Sequence, residues 1–106
     1  MRDAMQFPLA KKVVLVTGGS RGIGHMIVEG YLAAGCARIY ISARKIDQIE
    51  ATIAEFGADK VIGIPADLSQ VSECERLAAE IAAREEKVDI LVNNAGAAWG
   101  AEFGTV

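Results

Sequence analysis

The chain has 106 residues, which is enough for one small domain and too few for two. Apolar residues make up 52% and charged residues 24% of the chain, a composition typical of a globular protein and unlike that of a disordered segment. The net charge of −3 argues against nucleic acid or an anionic membrane as a partner, and no apolar run approaches the length of about 18 residues that spans a membrane.

Four short runs of apolar residues are each bounded by turn-forming residues. Such runs, rich in β-branched side chains, are typical of strands that are buried on both faces of a parallel sheet. The sequence therefore predicts strands over residues 13–16, 39–42, 61–64 and 90–92.

Between these strands, apolar side chains recur at helical spacing and predict three helices. The first runs from about residue 21 to residue 34 and the second from about 46 to 56, and Gly35 and Gly57 are their predicted ends. The third helix follows Ser69, its predicted N-cap. The predicted inward-facing residues of the three helices in turn are Ile23, Ile27, Val28 and Tyr31; Ile46, Ile49, Ile53 and Phe56; and Val71, Cys74, Leu77, Ala78 and Ile81.

Strands that alternate with helices predict an α/β fold with right-handed crossovers. We expect a doubly wound parallel sheet of the Rossmann type, built in the order βαβαβαβ with strand order 3-2-1-4. The first two helices should cover one face of the sheet and the third helix the other. The face with one helix should then be less protected, and the fourth strand should present an exposed edge.

Three glycines, Gly18, Gly22 and Gly24, lie between the first predicted strand and the first predicted helix. Gly18 allows the chain to turn sharply out of the strand, Gly22 lets the backbone approach a pyrophosphate, and Gly24 lets the helix pack close to the sheet. The helix N-terminus then offers unpaired N–H groups and a partial positive charge to the phosphates. We therefore expect residues 1–106 to form a single, partial NAD(P)-binding domain, with a glycine turn that holds no ligand as the less favoured alternative.

The residues at the end of the second strand bear on the choice between NAD and NADP. Rossmann proteins that prefer NAD commonly place a carboxylate about 20 residues past the glycine turn, where it binds the ribose 2′-hydroxyl. Here that position is Ala43, Arg44 and Lys45 follow it, and Arg21 lies in the glycine turn. Because a guanidinium suits a phosphate, this pattern favours NADP over NAD, with the Ser42 hydroxyl as a further contact to the 2′-phosphate. The alternative is that Arg44 and Lys45 are solvated loop charges.

Cys36, Cys74 and His25 carry reactive side chains, but the sequence favours structural roles for them. The two cysteines lie far apart and outside any CxxC motif, which predicts buried thiols in a reducing cytoplasm rather than a disulfide or a zinc site. His25 lies inside the first predicted helix, where we expect it to pack or to face solvent rather than to catalyse.

The stretch Thr17-Gly18-Gly19-Ser20-Arg21-Gly22-Ile23-Gly24 resembles the glycine motif of the short-chain dehydrogenase/reductase family. Asn93-Asn94-Ala95-Gly96, after the fourth strand, resembles the second hallmark of that family, and Asp67 and Asp89 fall where the family places acids. The resemblance covers residues 8–103. Within the family, the chain is similar to the 3-oxoacyl-[acyl-carrier-protein] reductases, and the stretch 93–100 is similar to reductases linked to rhamnolipid synthesis.

This resemblance implies roles for the remaining site residues. Asp67 and Leu68 would flank the adenine, while Asp67 could also cap the third helix beside Ser69. The segment 94–96 would line the ribose and the nicotinamide, and Asn93 would tie the fourth strand to adjacent backbone. The complete predicted cofactor-binding set is Gly18, Ser20, Arg21, Gly22, Ile23, Gly24, Ser42, Arg44, Lys45, Asp67, Leu68, Asn94, Ala95 and Gly96.

The Tyr-x-x-x-Lys motif that the family uses for catalysis is not found in the sequence, because Gly35 and Arg44 occupy that offset from Tyr31 and Tyr40. The resemblance therefore implies the cofactor-binding N-terminal half of an NADP-dependent oxidoreductase that transfers hydride to a 3-oxoacyl-type carbonyl. We expect the chain to be a piece of a longer protein and to be inactive alone, and the family usually forms homotetramers. The alternative is a non-catalytic dinucleotide-binding or interaction module.

Overall fold

The computed structural model describes residues 10–18 and 22–93. Over these residues the chain alternates strands and helices in the predicted order. The elements are β1 (Val13–Thr17), α1 (Gly22–Ala33), β2 (Arg38–Ala43), α2 (Ile46–Phe56), β3 (Val61–Pro65), α3 (Val71–Ala82) and β4 (Ile90–Asn93).

The four strands form one parallel sheet in the order β3-β2-β1-β4, which confirms the predicted strand order. At its centre Leu15 of β1 lies opposite Tyr40 of β2 and Leu91 of β4. Thr17, the last residue of β1, lies opposite Ser42 of β2 and Asn93 of β4. The carboxyl ends of β1, β2 and β4 therefore meet at one edge of the sheet, where doubly wound sheets bind their ligands.

Two apolar cores lie on opposite faces of the sheet, as the pattern predicts. The α1 and α2 face is filled by Val14, Val16, Val28, Cys36, Ile39, Ile41, Ile49 and Val61. The α3 face is filled by Val13, Leu15, Tyr40, Ile64, Ala66, Leu68, Cys74, Leu77 and Ile81. Because Cys36 and Cys74 are buried on different faces, they remain separate thiols, and burial raises the pKa of the Cys36 thiol.

Glycines end the first two helices where the sequence predicts. Gly35 has a φ of +88°, and hydrogen bonds from Gly35 N to Leu32 O (3.0 Å) and from Cys36 N to Tyr31 O (3.3 Å) close α1. Gly57, with a φ of +94°, donates its N–H to Ile53 O at 2.7 Å and closes α2. Both positions need a conformation that only glycine adopts readily.

The predicted start of the third helix is wrong in detail. Gln70, not Ser69, is the N-cap residue of α3, and its side chain makes no capping hydrogen bond. The Ser69 hydroxyl instead donates to Asp67 Oδ1 at 2.7 Å, because the carboxylate two residues earlier takes both polar hydrogens of Ser69 in a tight turn. Val71 and Ile46 are also misassigned to the core, since each is the first residue of its helix and stays 53% and 56% exposed.

The edge at β4 is the least covered part of the described sheet. Within residues 10–18 and 22–93, β4 pairs with β1 alone, and its apolar residues are only half-buried. An apolar groove of about 400 Å³ beside this strand is lined by Ile27, Gly30, Tyr31, Ala34 and Val92. In the described part of the chain β4 is thus an edge strand, and the groove opens on the α1 face rather than on the face that α3 covers. No helix in the described ranges is long and apolar enough to cross a membrane.

Candidate functional site

The glycine turn leaves β1 with the backbone conformation that its sequence predicts. Gly18 has a φ of +72° and donates its N–H to Ser42 O at 2.7 Å, which fastens the turn to the end of β2. Gly22 has a φ of +58°, a Cβ added there would meet no described atom within 4 Å, and α1 starts at this residue. The first turn of α1 carries no acidic side chain, so nothing in it neutralises the positive end of the helix dipole.

Several predicted site residues fall outside the part of the chain that is described. Ser20 and Arg21 of the glycine turn, and Asn94, Ala95 and Gly96 after β4, are among them. The backbone of Ile23 belongs to α1. Gly24 is buried in the first turn of α1, in keeping with the close helix packing expected of it.

A row of polar side chains crosses the carboxyl edge of the sheet on the α3 face. Thr17 is fully buried and its hydroxyl donates to Asn93 Oδ1 at 3.1 Å, which joins the ends of β1 and β4. This contact gives Asn93 a structural role, but it joins Asn93 to the Thr17 side chain, whereas the prediction was a bond to adjacent backbone. Thr17, which sequence reasoning did not single out as a contact, is the residue immediately before the glycines.

Ser42 continues this row beneath the edge of the sheet. Its side chain is fully buried, and its hydroxyl has no hydrogen-bond partner among the described residues. Strand alternation directs Ser42 to the α3 face, together with Thr17, whereas Ala43 points to the other face. The Ser42 hydroxyl does not reach the surface, so the structure contradicts the predicted contact between Ser42 and a 2′-phosphate.

Arg44 and Lys45 lie on the surface where β2 leads into α2. Both are exposed, and neither makes an ion pair or a side-chain hydrogen bond within the described ranges. Lys45 has extended backbone angles at the N-cap of α2, and no side chain caps this helix end. The position of the NAD-specific carboxylate is occupied by Ala43, the last residue of β2.

The loop from Pro65 to Gln70, which we call the β3–α3 loop, carries the predicted adenine contacts. Asp67 Oδ1 accepts hydrogen bonds from Ser69 Oγ (2.7 Å) and Ser69 N (3.2 Å), and these bonds lower the pKa of Asp67, with a smaller contribution from the charge of Arg44. Leu68 is buried in the α3-face core, so only its backbone is presented to the edge of the sheet. The Leu68 carbonyl accepts a hydrogen bond from Cys74 Sγ at 3.5 Å.

Asp89 and His25 have structural roles. Asp89 Oδ2 accepts a hydrogen bond from Val13 N at 2.8 Å, and Asp89 N donates to Val13 O at 2.9 Å. This pair aligns the amino ends of β1 and β4, and the Val13 hydrogen bond lowers the pKa of Asp89. His25 packs against the ring of Phe56 at 4.9 Å and lies 3.0 Å from a Glu55 carboxylate oxygen, so it packs as expected.

Glu73 and Arg76 of α3 are the site residues that sequence reasoning missed. Neither is among the predicted site residues, and neither belongs to the apolar positions of the third helix. Glu73 Oε1 in fact accepts a hydrogen bond from Asp67 N at 3.2 Å, and Arg76 Nη2 donates to Pro65 O at 2.7 Å. A glutamate in the first turn of a helix commonly reaches back to a backbone N–H ahead of it, which is the signal that was available.

The fold and the glycine turn define a doubly wound α/β domain of the Rossmann type, with its ligand edge at the carboxyl ends of the strands. The family model described as "short chain dehydrogenase" matches residues 12–106. The chain therefore belongs to the short-chain dehydrogenase family, and the predicted resemblance is confirmed.

Individual relatives support this assignment. The chain is 48% identical over 96 residues to the rhamnolipids biosynthesis 3-oxoacyl-[acyl-carrier-protein] reductase of Pseudomonas aeruginosa, covering 90% of this chain and 37% of that protein. It is 40% identical to 11-beta-hydroxysteroid dehydrogenase-like 3 of Arabidopsis thaliana, covering 83% of this chain and 29% of the relative. The chain thus spans between a quarter and little more than a third of the length of these curated relatives.

Solved structures agree with these sequence comparisons. The Pseudomonas aeruginosa RhlG/NADP active-site complex superposes with a TM-score of 0.77 at 47% identity, covering 88% of this chain and 36% of that one. A 2-keto-3-deoxy-D-gluconate dehydrogenase from Streptococcus agalactiae superposes with a TM-score of 0.80 at 29% identity, covering 91% of this chain and 37% of that one.

Proposed function

We propose that this chain is the NADP-binding N-terminal portion of an oxidoreductase that reduces a carbonyl of the 3-oxoacyl type. The observation that carries the proposal is the end of β2. There Arg44 stands exposed and without an ion pair in the described part of the chain, beside an alanine where an NAD-specific enzyme has a carboxylate. A guanidinium with unused donors can bind a 2′-phosphate, and no carboxylate at position 43 repels it.

The rest of the edge fits a dinucleotide. Gly18 and Gly22 both have left-handed backbone conformations, and α1 begins at Gly22 with no acidic residue in its first turn. Such a turn suits a pyrophosphate. The residues that would hold the cofactor are, for the pyrophosphate, Gly18, Ser20, Arg21, Gly22, Ile23 and Gly24; for the 2′-phosphate, Arg44 and Lys45; for the adenine, Asp67 and the backbone of Leu68; and for the ribose and nicotinamide, Asn94, Ala95 and Gly96.

The substrate class rests on the relatives. Bound NADPH supplies a hydride, and a 3-oxoacyl group offers the carbonyl carbon that accepts it. The name of the Pseudomonas aeruginosa reductase supports this substrate class, and its identity of 48% makes it the relative on which the proposal leans.

By itself we expect the chain to bind cofactor without turnover. A catalytic tyrosine needs an exposed hydroxyl with a pKa brought towards the working pH. Tyr40 is fully buried and donates its hydroxyl to Glu85 at 2.8 Å, and burial with this carboxylate raises the pKa of Tyr40 to about 12. Tyr31 lies half-buried in α1 and packs against the core.

The test compares the affinities of the chain for NADPH and NADH, measured by titration calorimetry. NADPH should bind more tightly, and Arg44→Asp should weaken NADPH binding by roughly tenfold or more, because a charge-assisted hydrogen bond contributes about 1.5–3 kcal/mol. NADH binding should change little, so the preference narrows or reverses.

Lys60→Asp is the matched control. It makes the same change of charge at an exposed residue just before β3, at the opposite end of the sheet from Arg44. This variant should keep the preference for NADPH. Equal affinity of the unaltered chain for the two cofactors would refute the assignment to NADP. Equal losses of NADPH affinity in Arg44→Asp and Lys60→Asp would show that Arg44 acts only through the net charge of the chain.

A further inference from the structure

A charged cluster on α3 contacts the backbone of the β3–α3 loop. Arg76 lies between Glu73 and Glu80 on the same helix, donating from Nη2 to Glu73 Oε1 at 2.9 Å and from Nη1 to Glu80 Oε2 at 2.6 Å. Unlike an ordinary surface ion pair, the cluster extends beyond its own helix, since Glu73 binds the N–H of Asp67 and Arg76 binds the carbonyl of Pro65.

These two bonds bracket the first residues of the loop. Between them lies Ala66, whose N–H donates to Ala43 O at 3.0 Å and so continues the pairing of β3 with β2. Asp67 is held further by the Ser69 hydrogen bonds, and Leu68 by Cys74. Each residue from 65 to 68 thus has a backbone or side-chain hydrogen bond that restrains the loop.

Stability alone accounts poorly for this arrangement. The side chains of Glu73 and Arg76 are 34% and 41% exposed, and ion pairs at such positions contribute little to the free energy of folding. The hydrogen bonds from Glu73 and Arg76 to the loop are not needed to form the ion pair. They fix the direction of backbone groups next to Asp67 and Leu68. The Arg76 hydrogen bonds also lower the pKa of Glu73.

We propose that Glu73 and Arg76 are positioning residues for the adenosine half of the cofactor, holding the β3–α3 loop in its binding conformation before the dinucleotide arrives. This inference rests on the proposed function. If the loop is ordered in only a fraction of the molecules, the apparent dissociation constant rises by the inverse of that fraction. Because adenosine is common to NADPH and NADH, both affinities depend on the loop equally, whereas Arg44 acts on the 2′-phosphate alone.

The experiment measures the affinities of the full chain for NADPH and NADH in Glu73→Ala, which removes the acceptor for Asp67 N. Both dissociation constants should rise by the same factor, roughly three- to tenfold if a third to a tenth of the loops remain ordered. The ratio of the two affinities should stay that of the unaltered chain. In the absence of cofactor, the Asp67 amide should exchange its hydrogen faster in the variant.

Three further variants separate positioning from general effects. Glu75→Ala makes the same change of charge on an exposed residue of the same helix that has no described contact, and it should leave both affinities unchanged. Glu73→Gln keeps the acceptor oxygen and should restore most of the affinity. Arg76→Met removes the bond to Pro65 and should repeat the loss seen in Glu73→Ala, with far-UV circular dichroism confirming that each variant is folded.

The outcomes distinguish the two proposals. An unaltered chain that binds neither dinucleotide overturns the proposed function and this inference together. An unaltered chain that binds NADPH, with Glu73→Ala binding as tightly or changing the ratio of the two affinities, overturns only the positioning role. Unchanged exchange of the Asp67 amide would also overturn it.

Discussion

Gly63 in β3 offers the sharpest test of the packing between the sheet and α2. A Cβ added at this residue would lie 2.0 Å from Ile49 Cγ2 and 3.2 Å from Ile53 Cδ1. Carbon atoms in contact normally stay about 3.5–4.0 Å apart, so Gly63→Ala requires Ile49 and its helix to move by roughly 1.5 Å. Ile49 is 2% exposed and has no open space to enter without such a shift. Overpacking of this kind costs about 1–3 kcal/mol, and it outweighs the ~0.5–1 kcal/mol that alanine gains over glycine in a strand.

Urea unfolding followed by far-UV circular dichroism measures this loss. Gly30→Ala is the matched control, because a Cβ on that α1 residue meets no described atom within 4 Å and should stabilise the chain by about 0.5–1 kcal/mol. In the double variant Gly63→Ala/Ile49→Ala, the new methyl should fill part of the space that Ile49 vacates. Its destabilisation should therefore fall short of the sum of the single changes by about 1 kcal/mol or more. A Gly63→Ala chain as stable as the original, or strict additivity, would refute the reasoning.

Two further predictions concern the centre of the sheet and the end of α2. Tyr40→Phe removes the hydrogen bond to the Glu85 carboxylate and should lower the free energy of unfolding by about 1–2 kcal/mol near neutral pH. Burial and Glu85 raise the pKa of Tyr40 to about 12, above its ordinary value near 10. The stability contributed by the protonated phenol is therefore fully present below about pH 10 and is lost as the pH rises towards 12; a pH titration of unfolding should show this step in the original chain and not in Tyr40→Phe. Gly57→Ala should lower the free energy of unfolding by about 1–2 kcal/mol in the urea assay. Its φ is +94° and an added Cβ would meet no described atom within 4 Å, so backbone strain is the cause. An unchanged urea midpoint would contradict this prediction.

Most of the fold follows from local signals in the sequence. β-branched runs specify the strands because central parallel strands are buried on both faces, and the alternation with helices then leaves few sheet orders. Helix ends were readable where glycine requires a left-handed backbone, as at Gly35 and Gly57. The start of α3 was harder to predict, because the Ser69 side chain could either cap the helix or bond to Asp67. The sequence alone does not indicate which of these hydrogen bonds forms.

The site was only partly readable for a related reason. The same double burial that makes a central strand recognisable removes the alternation of polar and apolar residues from which its faces could be assigned. Ser42 therefore looked like a surface contact, although its register with Thr17 places it on the buried α3 face. Glu73 and Arg76 were missed because helical spacing indicates only neighbours on the same helix, while their partners lie on the loop before it.

The charges at this edge also explain why Arg44 remains available to a ligand. Asp67 is close enough for the charge of Arg44 to lower its pKa, so the two could be expected to form an ion pair. They do not form one, and the larger influences on Asp67 are the two hydrogen bonds from Ser69. A carboxylate that already accepts two short-range donors gains less from a guanidinium whose side chain must be ordered to reach it. The hydrogen bonds from Ser69 therefore lessen what Asp67 would gain from an ion pair with Arg44, and within residues 10–18 and 22–93 Arg44 forms none.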